Sequence, residues 1–158
     1  MIPSDHFVRF YNEVFKALEE LGHEHLVAYW RELGKLQVQE LAARFREGGL
    51  PACHEYWQRI LEEEGCEGRL TLTDEYFEFR MTRCPSLAKV LDNDAAPCRW
   101  YCDHCMGWCE AVMQAAGLHM VLDVESRTEP HCVMRVYRDP TLAEEYERAA
   151  RLPSHPYA

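Results

Sequence analysis

A short segment in the second half of the chain carries the side chains best suited to chemistry. It reads YCDHC, from Tyr101 to Cys105, and Cys109 follows one helical turn later. The thiolates of Cys102 and Cys105, three residues apart, can bind one tetrahedral metal ion if remote residues complete the site. Iron–sulfur clusters accept cysteine ligands of the same kind. The segment therefore predicts a zinc or [4Fe–4S] site whose other ligands come from elsewhere in the chain.

Two single cysteines are placed to complete such a site. Cys84 ends a predicted strand immediately before Pro85, and Cys132 lies near the start of a later predicted strand that could lie beside the first. We therefore expect four metal ligands, two from one helix and two from strand ends: Cys84, Cys102, Cys105 and Cys132.

The same segment also allows a nucleophilic interpretation. Cys102 lies near a predicted helix N-terminus, where the unpaired N–H groups and the helix dipole lower the pKa of a thiol. This makes Cys102 the candidate catalytic residue. His104 and His131 are each close in sequence to a cysteine, but such neighbours do not face each other on a helix or a strand. Both histidines are therefore expected to be solvated.

A third interpretation is that some of the cysteines only pack in the core. A helix turns by about 100° per residue, so four cysteines form one narrow stripe if helical geometry extends back to residue 98: Cys98, Cys102, Cys105 and Cys109. Unpaired cysteine is among the most buried residue types and packs as a small hydrophobic side chain. We expect Cys98 and Cys109 to be packing residues.

The composition limits the partners and the compartment. The chain has 158 residues, 47% of them hydrophobic, and a formal net charge of -10. We expect one domain whose surface is too acidic for phosphate backbones or anionic lipid. No apolar run approaches the ~20 residues of a bilayer crossing, and the N-terminus lacks a secretory signal. We therefore expect a cytoplasmic protein that binds neither nucleic acid nor membranes and keeps its eight cysteines reduced.

The periodicity of apolar residues changes along the chain. Three helices are predicted over residues 5–65, with a stop at the Gly48–Gly49 pair. Within residues 66–151, apolar and polar residues alternate in two segments, each of which predicts a hairpin. A helix over about 100–116 separates the two hairpins, and a terminal helix follows the second. Residues 152–158 are expected to form a disordered tail. The sequence thus predicts a single α+β domain: N-terminal helices followed by an antiparallel sheet of about four strands with helices packed on it.

Three segments carry a resemblance to a known family. FRMTRCP at Cys84, YCDHC at Cys102 and HCVMRVYR at Cys132 resemble the pattern of the L-2-amino-thiazoline-4-carboxylic acid hydrolase-like family. The upstream segment YWRELGKLQVQELAARF also looks like the long helix of those proteins. More distantly, the arrangement is similar to 4-vinyl-reductase-type small-molecule sensor domains, in which late cysteines hold zinc. The resemblance implies that Cys84, Cys102 and Cys132 are the shared cysteines.

The resemblance leaves two functions open. A hydrolase would open a cyclic C=N compound, such as 2-amino-thiazoline-4-carboxylate, by attack of water at carbon. The attack would use water activated by zinc on Cys84, Cys102 and Cys132, or Cys102 itself as nucleophile. Cys105 as a fourth thiolate would close the metal to water and favour a non-catalytic small-molecule or redox sensor module with a structural zinc or [4Fe–4S] site. The partner in both cases is a small molecule, and a homodimer is compatible with the sequence.

Overall fold

A computed structural model describes residues 3–92 and 96–157 of the chain. The elements follow in chain order: α1 (Pro3–Leu21), α2 (His23–Glu63), β1 (Glu67–Leu72), β2 (Tyr76–Arg83), α3 (Pro85–Asp92), a 3₁₀ turn (Tyr101–Asp103), α4 (His104–Ala116), β3 (His119–Asp123), β4 (Cys132–Tyr137) and α5 (Pro140–Ala149). None of the helices in these two ranges is both long and apolar enough to cross a bilayer.

The four strands form one antiparallel sheet in the order β1-β2-β4-β3. Strand β4 lies between β2 and β3, so that Met134 faces Phe79 on one side and Leu122 on the other. All three side chains are buried, as alternating apolar residues predict for the covered face of a sheet. This sheet, preceded by helices, confirms the predicted α+β class.

Helices cover both faces of the sheet. On one face, α2 and α4 enclose the main core, in which Trp57 of α2 and Met113 of α4 pack with Phe77 of β2. On the other face, Ala143 of α5 packs against Val121 of β3 and neighbouring tyrosines. The outer side of α2 and α4 is in turn covered by α1, α3 and the 3₁₀ turn, whose side chains form a second core.

Helix α2 changes direction sharply at Gly49. This residue has φ 59° and ψ -144°, outside helical geometry. The rings of Phe45 and Trp57 stack with their centroids 5.7 Å apart, whereas twelve residues of straight helix would separate them by about 18 Å. The predicted stop at Gly48–Gly49 is therefore present. The second and third predicted helices, however, follow each other directly, with the kink in place of a loop.

A close helix crossing holds α4 against the first half of α2. A Cβ added to Gly34 would lie 3.4 Å from the carbonyl oxygens of Gly107 and Trp108. A Cβ added to Gly107 would lie 3.0 Å from the Cβ of Trp30. Glycine on both helices allows the two backbones to approach more closely than larger side chains would permit.

The C-terminal segment does not behave as predicted. The expectation of disorder over 152–158 is wrong for residues 152–157, and Ala158 lies outside the described residues. Ser154 is buried, and its N–H donates to the carbonyl of Leu122 at 2.9 Å. The hydroxyl of Tyr157 donates to the carbonyl of Gly107 at 2.5 Å. Tertiary hydrogen bonds of this kind order a segment whose polar, proline-rich composition suggested a free tail.

Replacing Gly49 with Ala should lower the free energy of unfolding by about 2 kcal/mol, because a side chain makes the backbone angles of Gly49 costly. The added Cβ would also lie 2.5 Å from the Arg138 guanidinium, which must then move. Urea denaturation measures the effect. Gly117→Ala is the matched control: its φ of 74° and ψ of 30° lie in the ordinary left-handed region, and no residue beyond its chain neighbours comes within 4 Å of an added Cβ. A cost at Gly49 no larger than at Gly117 would contradict the prediction.

Candidate functional site

Four cysteines line one small cavity at the end of the sheet. They come from four places in the chain: the end of β2, the 3₁₀ turn, the first turn of α4 and the start of β4, namely Cys84, Cys102, Cys105 and Cys132. All four are partly buried and unpaired. The remaining wall is mostly apolar and includes Leu87, Leu122 and Val124. The cavity volume is about 30 Å³, which is room for a single ion or one to two water molecules.

Strand pairing explains why two of these cysteines meet. Strands β2 and β4 run antiparallel, and Met81 of β2 faces Cys132 of β4. Beyond this last pair, the N–H of Cys84 donates to the carbonyl of Pro130 at 2.5 Å. The end of β2 and the start of β4 are therefore held together. Pro85 then begins α3 and turns the chain away from the sheet.

The other two cysteines come from the start of α4. Helix α4 begins at His104, so Cys105 lies in its first turn and Cys102 precedes it in the 3₁₀ turn. The predicted stripe extending back to Cys98 is not present, because the backbone before Tyr101 is not helical. Cys98 instead lies in the second core, where its N–H donates to the side-chain oxygen of Asn12 at 2.8 Å.

Cys109 also lies away from the four-cysteine cavity. It lines a separate cavity between α4 and the two halves of α2, together with Phe45, Tyr56 and Trp57. One helix therefore presents Cys105 to one cavity and Cys109 to another. This position agrees with the packing role expected for Cys109, which stays a prediction until its substitution is measured.

Burial keeps the cavity thiols protonated in the absence of a cation. It raises the pKa of Cys84 to about 11 and those of Cys102 and Cys105 to about 12. The pKa of Cys132 is also raised well above its usual value, mainly by burial and then by the nearby Cys105, Cys84 and Cys102. The expected lowering of the Cys102 pKa by a helix terminus is therefore wrong, because desolvation is the larger effect. Any thiolate chemistry here requires a positive charge in the cavity.

His104 is buried beside Cys105, contrary to the expectation that it is solvated. The residue is 5% exposed, and its ring packs against the rings of Phe15 and Trp108, with centroids 5.6 and 4.5 Å away. Burial lowers its pKa to about 4, so the imidazole is neutral. Its Nδ1 hydrogen bonds to the carbonyl of Tyr101, which leaves Nε2, 3.5 Å from the sulfur of Cys105, as an acceptor.

His131 occupies an intermediate position at the cavity wall. It lines the cavity beside Cys132, yet its side chain remains 29% exposed and lies 3.6 Å from the carboxylate of Glu129. The expectation of solvation therefore holds in part for this histidine.

A buried ion pair fixes the turn that carries Cys102. Asp103 is 1% exposed and accepts hydrogen bonds from both terminal nitrogens of Arg127, the longer at 3.3 Å. The hydroxyl of Ser154 donates to the same carboxylate at 2.7 Å. The Arg127 guanidinium also lies over the ring of Trp100, 5.3 Å from its centroid. Sequence reasoning missed this network, because Arg127 lies in a loop and Ser154 in the expected tail.

The thiols share a cavity without forming a preassembled metal site. Within the described ranges, no three His, Cys, Asp or Glu side chains already stand in positions that could hold a metal ion. The donor set nevertheless has the composition that zinc and iron–sulfur clusters accept. Binding would require the sulfur atoms to rotate towards a common point as they lose their protons.

Comparisons of the chain with protein families, with curated proteins and with solved structures found no match in any of the three. The functional assignment therefore rests on the chemistry of the cavity.

Replacing Arg127 with Met should lower the free energy of unfolding by about 3 kcal/mol, because it leaves the Asp103 carboxylate buried without its cation. Thermal or urea denaturation measures the loss. Arg148→Met is the matched control, since Arg148 is 68% exposed and lies 4.0 Å from Glu144; its effect should stay within about 0.5 kcal/mol. Adding Asp103→Asn to Arg127→Met should recover part of the loss. Equally small losses of stability in Arg127→Met and Arg148→Met would contradict this account.

Proposed function

We propose that the protein binds one zinc ion through the thiolates of Cys84, Cys102, Cys105 and Cys132. The observation that carries this proposal is that these four cysteines line a single cavity. They come from positions as far apart in sequence as residues 84 and 132, so chain proximity alone does not explain their meeting. Four sulfur donors are the typical ligand set of a structural zinc site.

The size of the cavity favours one ion over a cluster. A volume of about 30 Å³ accommodates a single atom or small ion. A [4Fe–4S] cluster contains several iron and sulfur atoms, so it would require the walls formed by Leu87, Leu122 and Val124 to move apart. Zinc is therefore the preferred cofactor, and a [4Fe–4S] cluster is the alternative that spectroscopy distinguishes.

A site with four thiolates favours a non-catalytic role. Four protein ligands fill the tetrahedral positions of zinc and leave none for a water molecule. The zinc would supply the positive charge that the buried thiols need in order to ionise. It would also tie the ends of β2 and β4 to the start of α4. The proposed protein is thus a small-molecule or redox sensor module with a structural metal.

The proposed site needs a reducing environment. All eight cysteines are free, and the cavity thiols must stay reduced to bind zinc. The cytoplasm is the compartment that supplies this condition. The acidic net charge of -10 disfavours nucleic acid and anionic membranes as partners, whereas a small molecule or a second copy of the chain is compatible with it.

Replacing any one of the four cavity cysteines with Ser should weaken zinc binding by at least about 100-fold, because each removes one thiolate. Cys98→Ser and Cys109→Ser are the matched controls and should retain full zinc content, since both lie outside the cavity. The measurement is metal analysis after anaerobic purification, followed by competition with a chromophoric chelator.

The same preparation decides between zinc and a cluster. Stoichiometric iron and acid-labile sulfide, with broad visible absorption bleached by dithionite, would replace zinc by [4Fe–4S] at the same ligands. Unchanged zinc content in all four cavity variants, or zinc lost equally in Cys109→Ser, would contradict the proposed ligand set.

A hydrolase is the second candidate function, and the contact between His104 and Cys105 favours it. A neutral imidazole 3.5 Å from a thiol is an arrangement in which a base can take the proton from a nucleophile. In this candidate function His104 would act on Cys105, whereas the sequence predicted Cys102 as the catalytic residue. The resemblance to the thiazoline hydrolase-like family supports ring opening of 2-amino-thiazoline-4-carboxylate, with an N-carbamoyl thiol amino acid as product.

Two features of the cavity oppose the hydrolase. A ring compound does not fit a volume of about 30 Å³ unless the walls move. Burial also raises the pKa of Cys102 and Cys105 to about 12, so the fraction of attacking thiolate at neutral pH is very small.

The hydrolase is tested by incubating the protein with 2-amino-thiazoline-4-carboxylate and assaying the free thiol that ring opening releases. We expect no turnover above that of a control protein. Turnover that is abolished by Cys102→Ser would support Cys102 as the nucleophile, as predicted from the sequence. Turnover that is abolished only by Cys105→Ser or His104→Gln would support the Cys105–His104 pair. Either result would replace the non-catalytic proposal.

A further inference from the structure

A fifth cysteine, Cys66, lies next to the proposed site without lining its cavity. It is buried in the main core, at the point where α2 ends and β1 is about to begin. Its N–H donates to the carbonyl of Leu61 at 3.1 Å, so its backbone position is fixed. Cys66 is therefore a buried thiol beside the four-cysteine cavity and outside the proposed ligand set.

The register of the first hairpin places Cys66 opposite Cys84. The last pair at this end of the β1–β2 ladder joins Glu67 to Arg83. The pairing shifts by one residue between Glu67 and Gly68, and the next residue outward from the Glu67–Arg83 pair is Cys66 on one side and Cys84 on the other. Glu67 and Arg83 are exposed, and side chains alternate between faces along a strand. Exposure does not alternate regularly here, but Cys66 is buried and Cys84 partly buried, so both side chains lie on the interior side.

The expected separation suits a covalent bond. Facing residues of antiparallel strands have Cβ atoms about 4.5–5.5 Å apart, and a disulfide requires about 3.5–4.5 Å. In the reduced chain Cys66 packs in the main core and Cys84 against the second core, so the two side chains must turn towards each other to form the bond. The pKa of Cys66 is raised first by burial and next by the neighbouring Cys84. This effect agrees with the proximity of the two residues.

We infer that Cys66 is the resolving cysteine of Cys84, so that oxidation of this pair by a peroxide removes one thiolate from the zinc site. The inference rests on the proposed function for its effect on zinc, but the disulfide itself does not require the metal. It makes the four-cysteine site a peroxide-sensitive site and gives the redox sensor role a defined chemical step.

The chemistry takes place in two balanced steps. The sulfur of Cys84 attacks one oxygen of hydrogen peroxide, the O–O bond breaks, and Cys84 becomes a sulfenic acid with release of one water. The thiol of Cys66 then attacks the sulfenic sulfur, an S–S bond forms, and a second water leaves. Two thiols are oxidised by two electrons in total, and one peroxide is reduced to two waters. Cys84 can no longer bind zinc, so the ion is left with three thiolates.

Peptide mapping tests this pair directly. Trypsin cleaves after Lys and Arg, so Cys66 falls in the peptide 60–69 and Cys84 in the peptide 84–89, each with a single cysteine. Full-length zinc-loaded protein is treated with an equimolar amount of hydrogen peroxide, blocked with an alkylating reagent and digested without reductant. We expect most of the oxidised peptide 84–89 to be linked to 60–69, with about one zinc ion released per disulfide. Dithiothreitol should restore zinc binding.

The variant Cys66→Ser separates a resolving role from a packing role. It should bind zinc normally before oxidation, but peroxide should then carry Cys84 to sulfinic or sulfonic acid, and dithiothreitol should no longer restore binding. Cys53→Ser is the matched control, since Cys53 is also buried in the main core, and it should recover like the native chain. If circular dichroism shows that Cys66→Ser does not fold, Cys66→Ala takes its place. The peptide map is made on the native chain and does not depend on either variant.

Two outcomes would overturn the inference. One is a map in which Cys84 is linked to the peptides of Cys132 or Cys102 and not to that of Cys66. The other is recovery in Cys66→Ser equal to that of the native chain. Failure of the proposed function is seen separately, as absence of zinc in the untreated protein. The link between 60–69 and 84–89 in metal-free protein would then still support the disulfide.

Discussion

The close crossing of α2 and α4 is the constraint on which the rest of the structure depends. Glycine at position 34 on one helix and 107 on the other lets the two backbones approach with carbonyl oxygens and the Trp30 side chain in contact. Because α4 is held at this distance, its buried face reaches the sheet, and its first turn lies over the end where β2 stops and β4 starts. A side chain at Gly107 would press on Trp30, whose Cβ lies 3.0 Å from an added Cβ, and would push α4, with two of the four cavity cysteines, away from α2.

Burial gives the cavity its chemistry. Desolvation raises the pKa of the thiols and lowers that of His104, so both are neutral. The buried Asp103 carboxylate forms an ion pair with Arg127. These effects oppose a free thiolate nucleophile and favour a cation that is bound by several thiolates at once. The Asp103–Arg127 pair, closed by the C-terminal segment through Ser154, holds the turn of Cys102 in place. The site is therefore a desolvated sulfur cavity whose thiols ionise only beside a positive charge. A further thiol, that of Cys66, is buried nearby in the main core.

The sequence predicted the class of fold and the four cysteines that share the cavity. Alternation in residues 66–84 and 118–139 is a local property, since each strand encodes its own buried face, and the four strands are present where expected. The glycine pair before Pro51 predicted that the helix stops there, and the structure has a kink at Gly49 with the next helix following directly. The cysteines at strand ends could be grouped because ends of paired strands meet. Metal binding by these cysteines stays a prediction.

What the sequence by itself determined was the type and order of the elements, because helical and strand periodicity depend on residues within a few positions of one another. Only the tertiary structure decided which polar groups are buried and paired. His104 is neutral because α1 and α4 enclose it, Asp103 is satisfied by residues 24 and 51 positions later in the chain, and the C-terminal segment is ordered by strand β3. Such contacts join segments distant in sequence, so no local pattern encodes them; they exist because packing removes water from groups that must then find partners within the protein.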